Sequence, residues 1–343
     1  MAVVLDQINI ATYQAFDKSV LNRELLSQDC AALRMLQENA VRAEGDPINV
    51  KVRYKRNNGG SYSGYDRMNT DQVEQLAEGS LEWKGYYVNV TIDEQTMVRN
   101  ASMNIADLMS VKSLKSLPAN GKAILNIVGE AMVGAMDDMK HLLAEALWQT
   151  TPGAKDMDSI PNIVNLTSTY ASIAYDSLNT FDYVGLTSGS NDNIWAGRVS
   201  SNSGTNRSLD EDILQQVIDD CSIGADTPKW AFCGRDAYRA LTLLLEGAKT
   251  RPNAAVSEIG FTKHIEWADY GVTFLRDEYC DRNEIYIINP KHLKLFIHPK
   301  LDMVFSGFKE PTDQAALTGQ LKCMVQLWCD DRAKQGLVDD VTV

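Results

Sequence analysis

Acidic and imidazole side chains on one predicted helix are the first candidates for chemistry in this sequence. They are Asp137, Asp138, His141 and Glu145. His141 and Glu145 are four residues apart, so both lie on one helix face. A metal site needs further ligands that converge from other segments, and the histidines at positions 264, 292 and 298 show no clustering in the sequence. We therefore predict a solvated helix face, with no metal and no cofactor.

Motifs for nucleotide binding and nucleophilic catalysis are absent from the sequence. Residues 120–123 contain the Gly-Lys pair of a phosphate-binding loop, but they lack the preceding glycine at the required distance and the following Ser or Thr. No Gly-x-Ser-x-Gly elbow occurs, and no cysteine has a convincing histidine partner. The pairs Asp330-Asp331 and Asp339-Asp340 are interpreted as surface charge. The sequence thus argues against hydrolase or nucleotide-dependent chemistry.

The six cysteines lack the spacing of a metal or redox motif. They are Cys30, Cys221, Cys233, Cys280, Cys323 and Cys329. None forms a Cys-x-x-Cys pair, so neither a zinc site nor a thioredoxin-like motif is supported. Most of them lie in apolar runs such as residues 230–233. We predict buried, reduced thiols in a protein made in the cytoplasm.

A net charge of −13 and an isoelectric point of about 4.8 restrict the partners of the chain. Nucleic acid repels an acidic chain at long range, which argues against a sequence-reading DNA-binding protein. Residues 1–9 carry no secretory signal, and no apolar run approaches the roughly 18 residues needed to span a membrane. We expect a cytosolic protein without a membrane partner.

The first 92 residues contain one helical pattern and two strand patterns. Residues 1–20 have a weak pattern, typical of an extended arm. Residues 22–42 predict a helix because apolar residues recur at spacings of three and four. Apolar and polar residues alternate over residues 48–55 and again over residues 86–92, with a polar, glycine-bearing segment between them. These two strands predict a two-stranded arm, which is barely stable alone and needs a neighbouring subunit to lie on.

The predicted arm carries a local excess of positive charge within the acidic chain. Its basic residues are Lys51, Arg53, Lys55, Arg56 and Lys84. Two interpretations remain open. The charges could protect an exposed strand face against aggregation, or they could hold the arm on an acidic neighbouring subunit.

Residues 122–149 show the strongest helical pattern, and we call this segment the spine helix. Its broad apolar stripe includes Ile124, Val128, Met132, Met136 and Leu143. Asn120-Gly121 precedes the helix and Thr151-Pro152-Gly153 ends it. At a rise of ~1.5 Å per residue, the helix would be about 40 Å long.

The second half of the chain predicts a mixed α/β arrangement. Ser208 to Glu211 matches a capping box that would begin a helix ending at Gly224. A strand at 229–233 and a helix at 235–246 follow. Strands are then expected at 272–275, 284–288, 293–298 and 321–328. The fold class is therefore predicted to be α+β.

The C-terminal third carries a resemblance to a known family. Its residues are Gly260-Phe261-Thr262, Trp267, Tyr270-Gly271-Val272, Asp277-Glu278-Tyr279-Cys280, Ile285 to Pro290, Leu293-Lys294-Leu295, Phe305, Pro311, Gln314, Leu321-Lys322-Cys323 and Gln335-Gly336-Leu337. With the order of arm, hairpin, long helix, mixed domain and late sheet, the chain resembles the HK97-fold major capsid proteins of tailed bacteriophages from about residue 20 to residue 340.

The resemblance implies a division of the chain into four parts. Residues 1–44 correspond to the N-terminal arm and residues 45–95 to the extended hairpin called the E-loop. Residues 96–153 and 285–330 correspond to the P-domain, which contains the spine helix. Residues 154–284 and 331–343 correspond to the mixed α/β A-domain. We assign inter-subunit contact in the E-loop to Lys51, Arg53, Lys55, Arg56, Trp83 and Lys84.

The same resemblance implies a structural role and no enzymatic activity. Copies of the chain are expected to form the hexamers and pentamers of an icosahedral virion capsid, assembled in the host cytoplasm. The shell would enclose double-stranded DNA, contacted non-specifically, with a portal at one vertex and in some cases a decoration protein. Because the arm begins early, a separate scaffolding protein is expected. The alternatives are a cytoplasmic α/β enzyme with an unrecognised site and a tail or decoration protein.

Overall fold

A computed structural model of the chain describes residues 30–54, 57–95, 121–178, 194–223, 226–244, 264–267, 270–312 and 314–342. The helices within these ranges are α1 (Ala31–Glu38), α2 (Gly121–Trp148), α3 (Ile160–Ile163), α4 (Glu211–Cys221) and α5 (Arg235–Leu244), with a 3-10 turn at Arg332–Lys334. The strands are β1 (Val41–Arg42), β2 (Ile48–Arg53), β3 (Leu76–Leu81), β4 (Lys84–Asp93), β5 (Arg198–Ser200), β6 (Arg207–Ser208), β7 (Trp230–Cys233), β8 (His264–Trp267), β9 (Val272–Arg276), β10 (Ile285–Ile288), β11 (Leu293–Ile297), β12 (Val304–Phe305), β13 (Ala316–Cys329), β14 (Gly336–Val338) and β15 (Val341–Thr342).

The long strand β13 is the centre of the first sheet. It pairs antiparallel with β4 from Ala316↔Asp93 to Val325↔Lys84, and with β11 over its last residues. β12 pairs with it as well, and β1 extends the sheet in parallel beside β11. Gly319 is required in β13, because a Cβ there would lie 2.5 Å from the Phe305 ring.

The spine helix predicted at 122–149 is confirmed as α2, which packs along β4. Met132, Met136 and Leu143 are buried, as their positions on the apolar stripe predict. The side chains of Ile124 and Val128 lie outside the described residues. Asp137, Asp138, His141 and Glu145 all lie on the exposed face, which confirms the predicted solvated helix face.

The second sheet has the strand order β5-β14-β10-β7-β9-β8. One face packs against α4 and α5 in a separate apolar core that includes Leu214, Ala231 and Ile285. The opposite face meets the C-terminal end of α2, where the Trp148 ring lies 5.1 Å from the ring of Tyr286. The spine helix therefore joins the two sheets through a continuous apolar core, and the α+β fold class is confirmed.

The N-terminal helix is shorter than predicted. The helix expected over 22–42 ends at Glu38, and residues 22–29 lie outside the described range. Val41 belongs instead to a strand, because its backbone pairs with Phe296 of β11. Asp277 accepts a hydrogen bond from the Ala32 backbone N–H at 2.9 Å, so a distant carboxylate caps the helix and fixes it to the second sheet.

The partner of strand β2 also differs from the prediction. β2 pairs with β3, from Ile48↔Leu81 to Arg53↔Leu76, whereas the strand predicted at 86–92 pairs with β13. The prediction missed β3 because Leu76–Leu81 has no regular alternation of apolar and polar residues. The alternation itself is confirmed, since Ile48, Val50 and Val52 are buried between exposed neighbours.

Two local interpretations of the sequence are wrong. The capping box is not formed, because Ser208 is held in β6 by its pairing with Thr342, and Asp210 is the N-cap of α4. That helix ends at Cys221 rather than Gly224. Asp340, interpreted as surface charge, is only 7% exposed and accepts a hydrogen bond from the Asn202 backbone N–H at 2.8 Å.

The cysteines follow the prediction. All six are buried and none is in a disulfide in the structure. Burial raises the pKa of these thiols, to about 12 for Cys323, which keeps them protonated and unreactive at neutral pH.

Arg332 is fully buried, and all three nitrogens of its guanidinium donate hydrogen bonds. Nε donates to the Ile163 carbonyl at 2.8 Å and Nη1 to the Ser168 carbonyl at 2.9 Å. Nη2 donates to the carbonyls of Asn162 and Asn165 and to the Ser168 hydroxyl. The guanidinium therefore joins the segment after β13 to the loop after α3.

We expect Arg332→Met to destabilise the fold by about 3–5 kcal/mol, because it leaves several buried acceptors without donors. Thermal or denaturant unfolding measures the loss. Arg34→Met is the matched control, since Arg34 is half exposed and pairs only with Glu38 at 3.5 Å on the surface of α1. It should change stability by less than ~1 kcal/mol. Equal effects of the two substitutions would contradict the role given to Arg332.

Candidate functional site

The candidate site is the hairpin formed by β2 and β3, and its base is fixed to the body of the protein. Ile48, Val50 and Leu81 are buried in the main core. The Ser80 backbone N–H donates to the Ala171 carbonyl at 3.1 Å. A Cβ on Gly79 would lie 2.5 Å from the same carbonyl oxygen, so glycine permits this close approach. The base of the hairpin is thus packed into the main core.

The tip of the hairpin, residues 57–72, is exposed at every position. Its hydrogen bonds are local, such as Ser63 N–H to Asp66 Oδ2 at 2.9 Å. Tyr62, Tyr65 and Met68 are 67%, 105% and 62% exposed. Single exposed apolar residues are common on protein surfaces, but several on one thin projection indicate a contact surface. Sequence analysis missed these three residues; the signal was two tyrosines within a Gly- and Ser-rich segment, Gly59 to Tyr65.

The basic residues predicted for this hairpin do not form one continuous face. Lys51 Nζ lies 3.0 Å from Glu78 Oε1 on the paired strand, and Arg53 is exposed at the end of β2. Lys55 and Arg56 lie outside the described residues. Glu78 partly neutralises the positive charge that the first strand carries, because the two strands lie side by side.

Trp83 and Lys84 lie at the turn between β3 and β4, away from the tip. The Trp83 indole N–H donates to the Gly45 carbonyl at 2.5 Å, and its ring lies edge-on to His298 at 5.3 Å. Lys84 Nζ donates to the Ala154 carbonyl at 3.0 Å and pairs with Glu82. Lys84 thus lies on β4 in the first sheet, and its role in inter-subunit contact stays a prediction.

A polar groove of about 560 Å³ lies beside the hairpin base, between the β3–β4 turn and the segment after α2. Burial raises the pKa of Asp158 in its wall, although Asn162 and Gln326 donate hydrogen bonds to that carboxylate at 3.1 Å. Within the described ranges, no three His, Cys, Asp or Glu side chains are grouped so that they could hold a metal ion.

A charged cluster holds the two connections between the sheets. The first connection runs from β10 to β11 through His292, and the second runs from β13 to β14 through Asp330 and Lys334. His292 Nδ1 lies 2.8 Å from Asp330 Oδ1, and Lys334 Nζ lies 3.0 Å from His292 Nε2. Asp226 contacts Lys334 at 3.1 Å and Lys291 at 2.7 Å. This cluster stabilises the relative position of the two sheets.

Comparison with known proteins decides the family. A sequence model of the SU10 major capsid protein family matches residues 128–315, more than half of the chain. The chain belongs to the SU10 major capsid protein family. The match begins within the spine helix and ends before β13, so it excludes the hairpin of β2 and β3. Comparison with curated protein sequences finds no match.

Solved capsid structures share the fold of this capsid protein. The cyanophage A-1(L) capsid asymmetric unit is similar at 12% identity and a TM-score of 0.58, over 95% of this chain and 96% of that chain. The capsid of a native GTA particle is similar at 11% identity and a TM-score of 0.58, over 94% of each chain. At these identities the likeness concerns the fold alone, and it confirms the predicted HK97-type fold.

The capsid protein is therefore a structural subunit of an icosahedral shell and not an enzyme. Its copies associate with one another in the virion capsid, as the family implies. Of the part of the chain that the structure covers, no helix has the length and apolarity to cross a membrane.

The charged cluster at His292 gives a pH dependence of stability with a defined sign. The hydrogen bond to Asp330 raises the pKa of His292 above its ordinary value of 6.5, against the opposing effects of burial and Lys334. Because this pKa is raised, the contact of protonated His292 with Asp330 stabilises the fold below pH 6.5. The stabilisation is lost as the pH rises through the folded-state pKa. We expect His292→Asn, which keeps a donor for Asp330 but cannot titrate, to abolish that part of the pH dependence.

The measurement is the difference in thermal unfolding temperature between wild type and variant from pH 5 to pH 8. Glu284, whose pKa burial raises to about 7, titrates in the same window, but its effect is common to both proteins and cancels in the difference. Asp330→Asn, which removes the partner that raises the pKa of His292, should abolish the same part of the pH dependence. A flat difference for His292→Asn would contradict the role of the cluster.

Proposed function

We propose that the E-loop tip is buried against a neighbouring copy and that this contact builds hexamers and pentamers, which close into the icosahedral shell. The observation that carries the proposal is the exposure of Tyr62, Tyr65 and Met68 at the end of a hairpin whose base is firmly packed. A two-stranded ribbon gains little stability from its own contacts. Contact with a second chain supplies the missing burial.

The energetics of the tip favour association between copies. Burying one such apolar side chain fully contributes about 1.5–3 kcal/mol. The hairpin is already paired and anchored, so binding does not have to order its base. Each shell contact is modest, but one subunit makes several of them, and their sum is large.

Strand β2, which carries Lys51 and Arg53, has a second proposed role within the same contact. Arg53 is exposed near the tip and is placed to meet an acidic surface on the next copy, since the chain as a whole carries a charge of −13. The protective interpretation of the same charges also remains open. Lys55 and Arg56, adjacent in the sequence, would act together with Arg53.

We further propose the domain limits and the remaining partners. Residues 1–44 form the N-terminal arm and residues 45–95 the E-loop, although β4 pairs within the P-domain sheet. Residues 96–153 with 285–330 form the P-domain, and residues 154–284 with 331–343 the A-domain. Family membership supports assembly in the host cytoplasm with a separate scaffolding protein, a portal and a possible decoration protein, around double-stranded DNA. The negative net charge favours weak, non-specific contact with that DNA.

The combined substitution of Tyr62, Tyr65 and Met68 by serine tests the E-loop contact. We expect a subunit with an unchanged unfolding temperature, because these side chains are largely exposed, and at least a tenfold loss of shells and capsomers. Negative-stain microscopy and sedimentation velocity measure the assembly. Tyr87→Ser is the control, since Tyr87 is 61% exposed on β4 away from the tip and should assemble normally. Normal assembly of the triple variant would refute the proposal.

Reversal of the Arg53 charge distinguishes the two roles considered for β2. If Arg53 holds the neighbouring copy, Arg53→Glu should weaken capsomer formation and make the remaining assembly less sensitive to salt. Lys229→Glu changes the net charge equally at an exposed position outside the hairpin. If Arg53→Glu assembles as well as this control but aggregates as the free subunit, the charges protect the strand edge instead.

A further inference from the structure

A tight turn at residues 170–173 contacts the outer edge of β3 at the base of the hairpin. The Tyr170 backbone N–H donates to the Ile173 carbonyl at 3.1 Å, and the Ile173 N–H donates back to the Tyr170 carbonyl at 3.0 Å. The two central residues, Ala171 and Ser172, have φ angles of +53° and +63°. Residues other than glycine rarely adopt this left-handed conformation, so the surrounding structure must hold the turn in its shape.

Tyr170 fixes this turn to the first sheet. Its side chain is buried, and its hydroxyl donates to the Leu327 carbonyl at 3.0 Å and accepts from the Cys329 N–H at 2.8 Å. Both of these partners belong to β13. The Trp195 indole N–H donates to the Tyr170 carbonyl at 3.3 Å. Buried polar groups with partners on several segments hold one arrangement, so the turn is a rigid part of the subunit body.

The contact between the turn and β3 is made by backbone atoms. The Ser80 N–H donates to the Ala171 carbonyl, and among the described residues this is the one backbone-to-backbone hydrogen bond that joins β2 or β3 to the rest of the chain. A Cβ on Gly79 would lie 2.5 Å from the Ala171 carbonyl oxygen and 2.9 Å from the Ala171 Cβ. Only glycine therefore lets β3 approach the turn this closely.

A backbone contact at this place controls the direction of the hairpin, which apolar packing alone does not. Burial of Ile48, Val50 and Leu81 stabilises the base, but the hydrophobic effect is non-directional. At up to ~3.6 Å per residue, residues 73–79 form a lever of at most about 25 Å, so a rotation of roughly 10° at Gly79 would move the tip by about 4 Å. That displacement is larger than the length of a hydrogen bond, about 3 Å, and is enough to lose the contacts of a small surface.

We infer that the turn at residues 170–173 sets the direction in which the hairpin projects, and so determines how its tip meets a neighbouring copy. Gly79 and Ala171 are positioning residues in this role, because both are buried in the subunit and act through the position of the tip. The inference rests on the proposed E-loop contact and adds the element that gives this contact its geometry.

Double electron–electron resonance measures the direction of the hairpin in the unassembled full-length chain. Spin labels are attached at Ser63→Cys in the tip and at Glu145→Cys on the exposed face of α2. The six native cysteines are buried, so the introduced thiols react selectively. We expect one narrow distance distribution in the labelled chain. A broad distribution would mean that no contact fixes the direction, and it would overturn the inference.

Gly79→Ala tests the close approach of β3 to the turn. The added methyl group cannot fit against the Ala171 carbonyl, so the distance between the labels should shift or broaden by about 4 Å. Gly85→Ala is the matched control in the next strand, since nothing lies within 4 Å of its Cβ position. This control should leave the distance distribution unchanged.

A second variant loosens the turn and adds no atom to the contact. Ala171→Gly combined with Ser172→Gly keeps the carbonyl that accepts from Ser80, but glycine lets both central residues adopt many conformations. We expect a broader distance distribution and a smaller change in unfolding temperature than Arg332→Met gives. Wild-type distances in both variants would overturn the inference, and if Gly79→Ala does not fold, wild-type distances in the double glycine variant alone would do so.

Assembly shows whether the direction of the hairpin governs the shell. Gly79→Ala should form at least tenfold fewer regular shells, with capsomers or irregular particles in their place, whereas Gly85→Ala should assemble normally in negative-stain images. Regular shells from a variant whose labels report a changed direction would overturn the inference.

The triple serine variant of the tip separates this inference from the proposed E-loop contact. Labelled at the same two positions, it should keep the wild-type distances while it fails to assemble, because its hairpin base is intact. Normal assembly of that variant refutes the E-loop contact, whereas wild-type distances in the Gly79 and double glycine variants refute the positioning role of the turn.

Discussion

The pairing of β13 with β4 and β11 is the constraint on which the rest of the subunit depends. It joins residues 84–93 to residues 316–325, more than 200 positions away, and so returns the chain from the hairpin of β2 and β3 to the body of the protein. The same sheet supports the spine helix, whose last residue, Trp148, packs on Tyr286 of the second sheet. Without this pairing, neither the hairpin base nor the helix would have a surface to pack on.

The hairpin of β2 and β3 combines a buried base with an exposed tip, and this contrast suits a subunit that assembles with copies of itself. Ile48, Val50 and Leu81 secure the base within the main core, so the hairpin projects in a defined direction. The tip contributes almost nothing to the stability of one chain because its apolar side chains face solvent. Substitutions in the tip can therefore change the assembly contact without unfolding the body of the subunit.

Buried polar groups fix the arrangement of the two sheets. Arg332 donates hydrogen bonds to the carbonyls of α3 and of the loop after it, and Asp277 caps α1. The His292 cluster joins the two connections between the sheets. Unpaired buried groups are costly, and each of these has partners from segments distant in sequence.

The sequence by itself determined the elements with strong periodicity. The spine helix, the alternation in β2, the burial of the cysteines and the α+β class follow from apolar spacing, which depends only on local geometry. The order of those elements was sufficient for the resemblance to the capsid fold. Spacing also identified which side chains share a face, as with Met132 and Met136 on α2.

Only the tertiary structure decided which strands pair and which charges are buried. The alternation of apolar and polar residues shows which face of a strand is buried, but it does not show which strand is its hydrogen-bonded partner. The prediction therefore missed β3 and paired β2 with β4, which pairs with β13 instead. Asp340 proved to be buried for the same reason, because its environment is made by residues distant in sequence. The exposed tyrosines at the tip have no periodic signal, and their importance depends on where the hairpin projects.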